Sequence, residues 1–448
     1  MSILNVLASF IKKTSFIDIP SDLREQAKIR IIDLISACGL GTRSDVRNPL
    51  AEFTEVSHPN LNATLLFSKQ VVSVYQASAY NAFTATSSGM EDGSRFAGAH
   101  PSSVIIPAAL AASQTTGASG TDFIVSVIVA YEVYLRVGYA LYPHNVRKGF
   151  HPSAILAPLG AAAAVGKLLG LDTPALRAAL SLACLSSSGL KVAFEEYASK
   201  CYQVARGVKG GFEAALLARS GMQGPEHVFE RGFLRAYGSD KNSMALEDLG
   251  SRFLLPQTYL KIHGGCRLIH PCIDAVLYLR EKKGIVPDQV ESISIKINSV
   301  AYEMEREEVK GPFDARFNTP FLVAVGLKEG EVSERQITQE MLHDEIIKDL
   351  RSKTSIEVDS ELDRNFPAHR GAIVSIRTRK GSTVGHRVDL PLGEPENPLT
   401  LDQVREKFKK SLTGVISASK IMPVYQFLEG LDKRENLFPL FQYLEEKF

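Results

Sequence analysis

Three His-Pro pairs each stand at the head of an apolar run with helical spacing: His100-Pro101-Ser102, His151-Pro152-Ser153 and His270-Pro271-Cys272. Proline is favoured at the first helical position, where its missing N–H would be unpaired anyway, so each pair predicts a helix start with an imidazole beside it. Such a start presents free backbone N–H groups and roughly half a positive charge. Three imidazoles beside anion-attracting ends point to one pocket for an acidic small molecule. The structural alternative is that each histidine merely caps its own helix.

Helical spacing dominates roughly the first 265 residues. Ser21 opens a run with Leu23, Ala27, Ile31, Leu34, Ile35 and Cys38 on one face, stopped at Gly39. Further helices are expected over 104–115, 121–141, 154–169, 174–186 and 207–219. Beyond the third His-Pro helix the period changes. Ile293, Ile295 and Ile297 alternate within 291–298, and 373–378 and 384–390 read as strands joined at Lys380-Gly381-Ser382. Helix-like stretches lie near 319–327 and 339–350. After a Pro- and Gly-bearing loop at 391–398, helical spacing returns over 401–412 and 424–431. At 448 residues two domains are the starting expectation. The fold expected is mainly α: a large all-helical domain of residues 1–265 and 396–448, with a smaller inserted α+β lid domain of 266–395.

A formal charge of +1 supplies no field for nucleic acid or an anionic membrane. Lys12-Lys13 and Lys407 to Lys410 read as solvated helix faces. Five cysteines, an odd number without any C-x-x-C spacing, argue for reduced thiols and against a cysteine-built metal site. Lys12 and Lys13 follow the apolar residues at the start, the reverse of a secretory signal, and no apolar run approaches 18 residues. A cytoplasmic location, with neither membrane nor nucleic acid as partner, is the expectation.

Four constellations could carry chemistry. Gly89 to Arg95 is a glycine-flanked loop in which Glu91 and Asp92 precede His100 and could orient or neutralise its imidazole; acids ahead of helices are also common as plain caps. His151 heads an Ala-rich run that reads as buried. Lys200, standing before an apolar, glycine-rich helix, could clamp a carboxylate or donate a proton; a lone lysine is more often on the surface. Lys261 to Pro271 gathers Lys261, His263, Arg267 and His270 in a glycine-bearing loop at the expected domain junction, a preferred setting for ligands. The remaining histidines, His58, His144, His227, His343, His369 and His386, sit in polar contexts and are given no role. There is no G-x-S-x-G elbow, no phosphate-binding G-x-x-x-x-G-K and no H-E-x-x-H. Gly207 to Gly211 falls within a helical stretch that follows no strand, so it is not a dinucleotide loop. The chemistry expected is acid–base.

In this order, Ala99-His100-Pro101-Ser102, Gly149-Phe150-His151-Pro152, Lys200, the Lys261 to Pro271 loop, Phe317-Asn318-Thr319-Pro320-Phe321 and Leu392-Gly393-Glu394-Pro395 ahead of Lys407-Phe408 resemble the MmgE/PrpD family. That family contains 2-methylcitrate dehydratases, cis-aconitate decarboxylases and iminodisuccinate epimerases. The resemblance implies a homodimer and catalysis without metal or organic cofactor. It places the family's active-site histidines on His100 and His151 and its lysines on Lys200 and Lys261; Asp92 or Glu91 is expected to set the protonation state of the neighbouring histidine. Glu91, Cys266, Arg267, His270 and Thr319 are the expected substrate contacts. Two departures stand out. Gly89 occupies the position of the family's first loop aspartate, and Thr319 the position of a tyrosine found in the decarboxylases. The reading is a cofactor-independent lyase, a dehydratase or hydratase, acting on a citrate- or aconitate-like di- or tricarboxylate. Decarboxylation of a cis-aconitate-like acid and epimerisation of an iminodisuccinate-like acid are alternatives on the same scaffold. A catalytically silent carboxylate-binding homologue is the alternative of another class.

Overall fold

The computed structural model describes residues 2–43, 61–238 and 246–445; His58 lies outside them. The chain divides into two compact units, Met1–Thr258 with Thr400–Phe448, and Tyr259–Leu399. The class is mainly α, with a smaller α+β part, as read from the sequence.

The first unit is built from α1 (Ile3–Lys13), α2 (Ser21–Gly41), α3 (Val74–Ser88), α4 (Ser102–Thr116), α5 (Gly120–Leu141), α6 (Pro152–Leu168), α7 (Thr173–Ser186) and α8 (Tyr197–Arg219), with a short hairpin of β1 (Asn62–Thr64) and β2 (Val71–Ser73). Their starts follow capping chemistry. Ser73 and Gln76 form a reciprocal box at α3, Ser119 and Asp122 another at α5, and Asp172 accepts from the Ala175 N–H at α7. α4, α5 and α6 bury residues on nearly every face, so they form the centre of the unit. α5 is long and apolar enough to cross a membrane by length and composition, although no apolar run approaching 18 residues is expected from the sequence, yet 94% of its apolar window is buried within the protein.

Close packing of α8 on α6 depends on two glycines. A Cβ at Gly211 would lie 2.2 Å from the Pro158 carbonyl oxygen, and one at Gly207 would lie 2.7 Å from the Ala157 Cβ. α8 starts ten residues before the expected 207, so Lys200 sits inside its first turns rather than ahead of it. α2 likewise runs on through Gly39 to Gly41, where a Cβ would meet the Thr84 carbonyl oxygen at 1.9 Å.

The second unit holds a four-stranded sheet in the order β4-β3-β5-β6. β3 (Val290–Ile297) pairs in parallel with β4 (Thr354–Val358), Ile295 opposite Ile356, and antiparallel with β5 (Ala372–Thr378), Ile295 opposite Val374. β6 (Thr383–Val388) completes the sheet through the expected turn, with Gly381 at φ +86°. α9 (His270–Lys283), α10 (Thr319–Glu329) and α11 (Glu345–Ser352) bury Ile273, Val276, Phe321 and Ile347 in a core shared with Ile293, Ile295 and Val374. The single helix expected over 339–350 is broken at Asp344, whose carboxylate accepts from the Ile346 and Ile347 N–H groups and starts α11 afresh. The unit begins at Tyr259 rather than 266: Leu260 N–H donates to the Gly393 carbonyl at 2.9 Å, and Gly393, at φ +95°, has no room for a Cβ beside the Leu260 carbonyl.

α12 (Leu401–Leu412) and α13 (Ala418–Glu429) return the chain to the first unit. Lys407 is a correction to the solvated-face reading. It is 6% exposed, forms an ion pair with Asp33 on α2 and donates to the Met90 carbonyl at 3.1 Å. Its charge anchors the loop that precedes His100.

Candidate functional site

All three His-Pro pairs lie at helix starts, and His151, the N-cap of its helix, makes no side-chain capping bond. His100 precedes Pro101, the residue before α4; His151 is the residue before α6; His270 is the first residue of α9.

In the first unit, α3 ends at Gly89, φ +67°, in the left-handed conformation that favours glycine. The following loop buries Glu91 and Asp92 completely. Asp92 does not hold His100 with its carboxylate. Its Oδ1 accepts from the Ser102 N–H at 3.0 Å, at the head of α4, and its Oδ2 accepts from the Tyr131 hydroxyl at 2.8 Å. Burial raises the Asp92 pKa to about 6, against the pull of those bonds. The backbone oxygen of Asp92 instead lies 2.6 Å from His100 Nδ1. A carbonyl can only accept, so Nδ1 carries the proton and Nε2 is the lone-pair nitrogen of neutral His100. The Glu91 carboxylate lies 4.0 Å from the same Nδ1.

His100 N–H donates to Ser153 Oγ at 3.1 Å, tying this loop to the first turn of α6, where His151 sits. His151 is 2% exposed, its Nδ1 has no hydrogen-bond partner among the described residues, and the edge-on ring of Phe194 lies 4.8 Å away. Burial first, and then the charges of Lys200 and His100, push its pKa well below the ordinary value. That direction favours the uncharged imidazole. The Lys200 ammonium, buried within α8, lies 5.7 Å from the Phe194 ring and 5.2 Å from the Tyr197 ring. Tyr197 in turn donates to the Thr86 and Ser87 carbonyls at the end of α3. Four expected residues, Asp92, His100, His151 and Lys200, therefore gather in one unit, joined by Glu91.

In the second unit Lys261, Arg267 and His270 form a buried cluster with His263. Burial and then the neighbouring cations hold His270 well below its ordinary pKa. Arg267 is a structural clamp rather than an open cation. Its guanidinium has five N–H donors, and each has a protein acceptor: Glu394 Oε1 for Nε and Nη2, His270 Nδ1 and the Leu392 carbonyl for Nη1, the Pro391 carbonyl for the second Nη2 hydrogen. No donor remains for a substrate carboxylate. The acceptor role forced on His270 Nδ1 fixes that ring's tautomer as well. His263 Nε2 meets Asp274 Oδ1 at 2.7 Å, and Cys266 is half-buried and in no disulfide.

Thr319 is also committed. Its hydroxyl donates to Glu305 Oε2 at 2.6 Å and its N–H to Glu305 Oε1 at 2.8 Å, with Asn318 Nδ2 3.2 Å from Oε1. Glu305 lines a cavity of about 520 Å³ with Asn318, Pro320 and Arg351, and burial raises its pKa to about 7. Glu305 and Tyr131 were not singled out from sequence, and Glu394 stood in the Leu392 to Pro395 motif without a role of its own. Only Glu394 had a signal, the glycine-proline loop around it. Among the described residues no group of three or more His, Cys, Asp or Glu side chains is placed to hold a metal ion.

The MmgE/PrpD N-terminal domain matches residues 5–245, and the MmgE/PrpD C-terminal domain matches 263–422. A cis-aconitate decarboxylase-like protein of Aspergillus oryzae is 27% identical, over 93% of this chain and 91% of its own length. The cis-aconitate decarboxylase of Aspergillus terreus is 25% identical, over 95% and 92%. That of Homo sapiens is 24% identical, over 92% and 88%.

Proposed function

Because the chain belongs to the MmgE/PrpD family, we propose that it is a lyase acting on an aconitate-like di- or tricarboxylate by acid–base catalysis. The observation that carries this reading is the neutral, buried His151 held beside Lys200 and His100. With no ligand, burial and the Lys200 charge keep the proton off His151. A polyanion bound there reverses the sign of the local field and raises the proton affinity of the imidazole. His151 then takes a substrate proton or delivers one, and His100, its Nδ1–H fixed by the Asp92 carbonyl, offers Nε2 as the second acid–base group. Lys200 supplies a point charge for a carboxylate and for the enediolate-like charge that develops next to it. The Glu91 carboxylate stands 4.0 Å from His100 Nδ1.

Decarboxylation is supported by the relatives. In that reaction a proton reaches the alkene carbon, the bond to the leaving carboxylate breaks, its electron pair forms the shifted double bond, and carbon dioxide departs. Dehydration and its reverse is the second reading, and Thr319 favours it: where the decarboxylases carry a tyrosine, this chain has a hydroxyl already bonded to Glu305. Epimerisation uses the same proton removal and return. A cofactor-independent homodimer is the working form proposed, on the resemblance alone, and a cytoplasmic location is proposed from the odd number of cysteines without any C-x-x-C spacing.

The test is incubation with cis-aconitate, 2-methylcitrate and iminodisuccinate while alkene absorbance, carbon dioxide and chirality are followed. Turnover of one of the first two supports the lyase, and carbon dioxide release separates its two forms. Inversion of iminodisuccinate alone would make it an epimerase. Saturable thermal stabilisation by all three without any turnover would make it a silent carboxylate binder.

A further inference from the structure

A second cavity, of about 630 Å³, lies in the first unit on α3 and α8. Its size falls within the range of about 300–1,000 Å³ typical of small-molecule sites. Leu65, Val72, Ala79 and Ala205 give it an apolar wall. Arg206 and Lys209, three residues apart on α8 and so on one face, stand at that wall. Arg206 Nη1 donates to Ser188 Oγ at 3.0 Å, and neither cation has an ion-pair partner among the described residues. Glu213, one turn beyond Lys209, leaves the wall with a net positive charge. Two cations without counter-ions beside an apolar surface match one chemistry, an anionic head on an apolar chain.

We propose that this cavity binds a medium-chain monocarboxylate, its head on Arg206 and Lys209 and its chain along Leu65, Val72 and Ala205. Gly210, next to Lys209, also lines the cavity, and a Cβ there would lie 3.1 Å from Ser186 Oγ, another lining residue, so a bulky side chain at this position competes for the same space. The site is independent of the lyase reading, because α3 and α8 face it with residues that take no part in that chemistry.

Titration calorimetry of the full chain with sodium octanoate, at fixed ionic strength and below its micelle concentration, tests the proposal without reference to turnover. Saturable binding is expected, at least tenfold weaker for the double variant Arg206→Gln/Lys209→Gln, at least tenfold weaker for uncharged 1-octanol, and lost in Gly210→Leu. Thermal unfolding identifies any variant that fails to fold, and Arg206→Glu/Lys209→Glu provides a second charge change at exposed positions. Absence of saturable binding, or equal binding by the charge variants, overturns the proposal. So does a result in which octanoate is without effect while the charge variants convert a sedimenting dimer to monomer, which would assign this face to a second copy of the chain.

Discussion

The backbone oxygen of Asp92, and not its carboxylate, holds the imidazole of His100, at 2.6 Å from Nδ1. The carboxylate serves the fold instead, accepting from the Ser102 N–H and the Tyr131 hydroxyl. The two functions of this residue are therefore separable by mutation.

Asp92→Asn keeps an acceptor for Ser102 and leaves the His100 tautomer fixed, so its turnover should stay within about tenfold of the parent. Asp92→Ala strands a buried N–H and a buried hydroxyl and should lower stability by about 1–3 kcal/mol. Steady-state kinetics and denaturant unfolding of the two variants check this. A carboxylate that acted directly on His100 would instead make Asp92→Asn as damaging to turnover as loss of the histidine.

Arg267 and Glu394 are both almost fully buried and joined at 2.9 Å. Arg267→Met should cost about 3–5 kcal/mol, because it leaves the Glu394 charge without its partner, and Arg267→Met/Glu394→Met should recover most of that loss. Urea unfolding of both variants measures it. An unchanged unfolding midpoint with a raised KM would return Arg267 to the substrate.

Glu132 on α5 accepts from the Leu254 and Leu255 N–H groups, and burial raises its pKa to about 7. A carboxyl whose pKa is raised on folding binds its proton more tightly in the native state, so its contribution favours folding at low pH and is lost as pH rises from about 4.5 through 7. The loss amounts to at most about 3 kcal/mol. Glu132→Gln lacks this titration, so the stability of the wild type relative to the variant should fall across that window. Thermal unfolding at pH 5, 6, 7 and 8 reads the trend, and a constant difference would contradict it.

His151 and His270 act in the opposite sense. Each has a pKa well below the ordinary histidine value, chiefly through burial, so each favours folding above about pH 6.5 and that contribution is lost as pH falls below it. His151→Gln should therefore flatten the acid side of the stability curve, as pH-dependent unfolding would show.

The helices that carry His100 and His151 were legible because proline, capping residues and apolar spacing agree over 102–116 and 152–168. α3 was not. Its residues are buried on nearly all faces and rich in Ser, Thr and Ala, which leaves little periodicity to read. β4 was missed because it is an edge strand with a mostly exposed pattern, and the start of α8 because Lys200, Tyr202 and Gln203 break the apolar spacing. At the site, residue types were readable and partners were not. Nothing local to Arg267 announces Glu394, 127 residues away, and nothing near Lys407 announces Asp33. Whether an arginine or lysine is available to a ligand depends on such distant acceptors.

The most direct measurement is proton NMR of cis-aconitate incubated with the wild type and with His151→Gln and His100→Gln, each shown to melt cooperatively. The account predicts conversion by the wild type and a loss of about 10²-fold or more in kcat for each variant. Variants that convert substrate at the wild-type rate would contradict it.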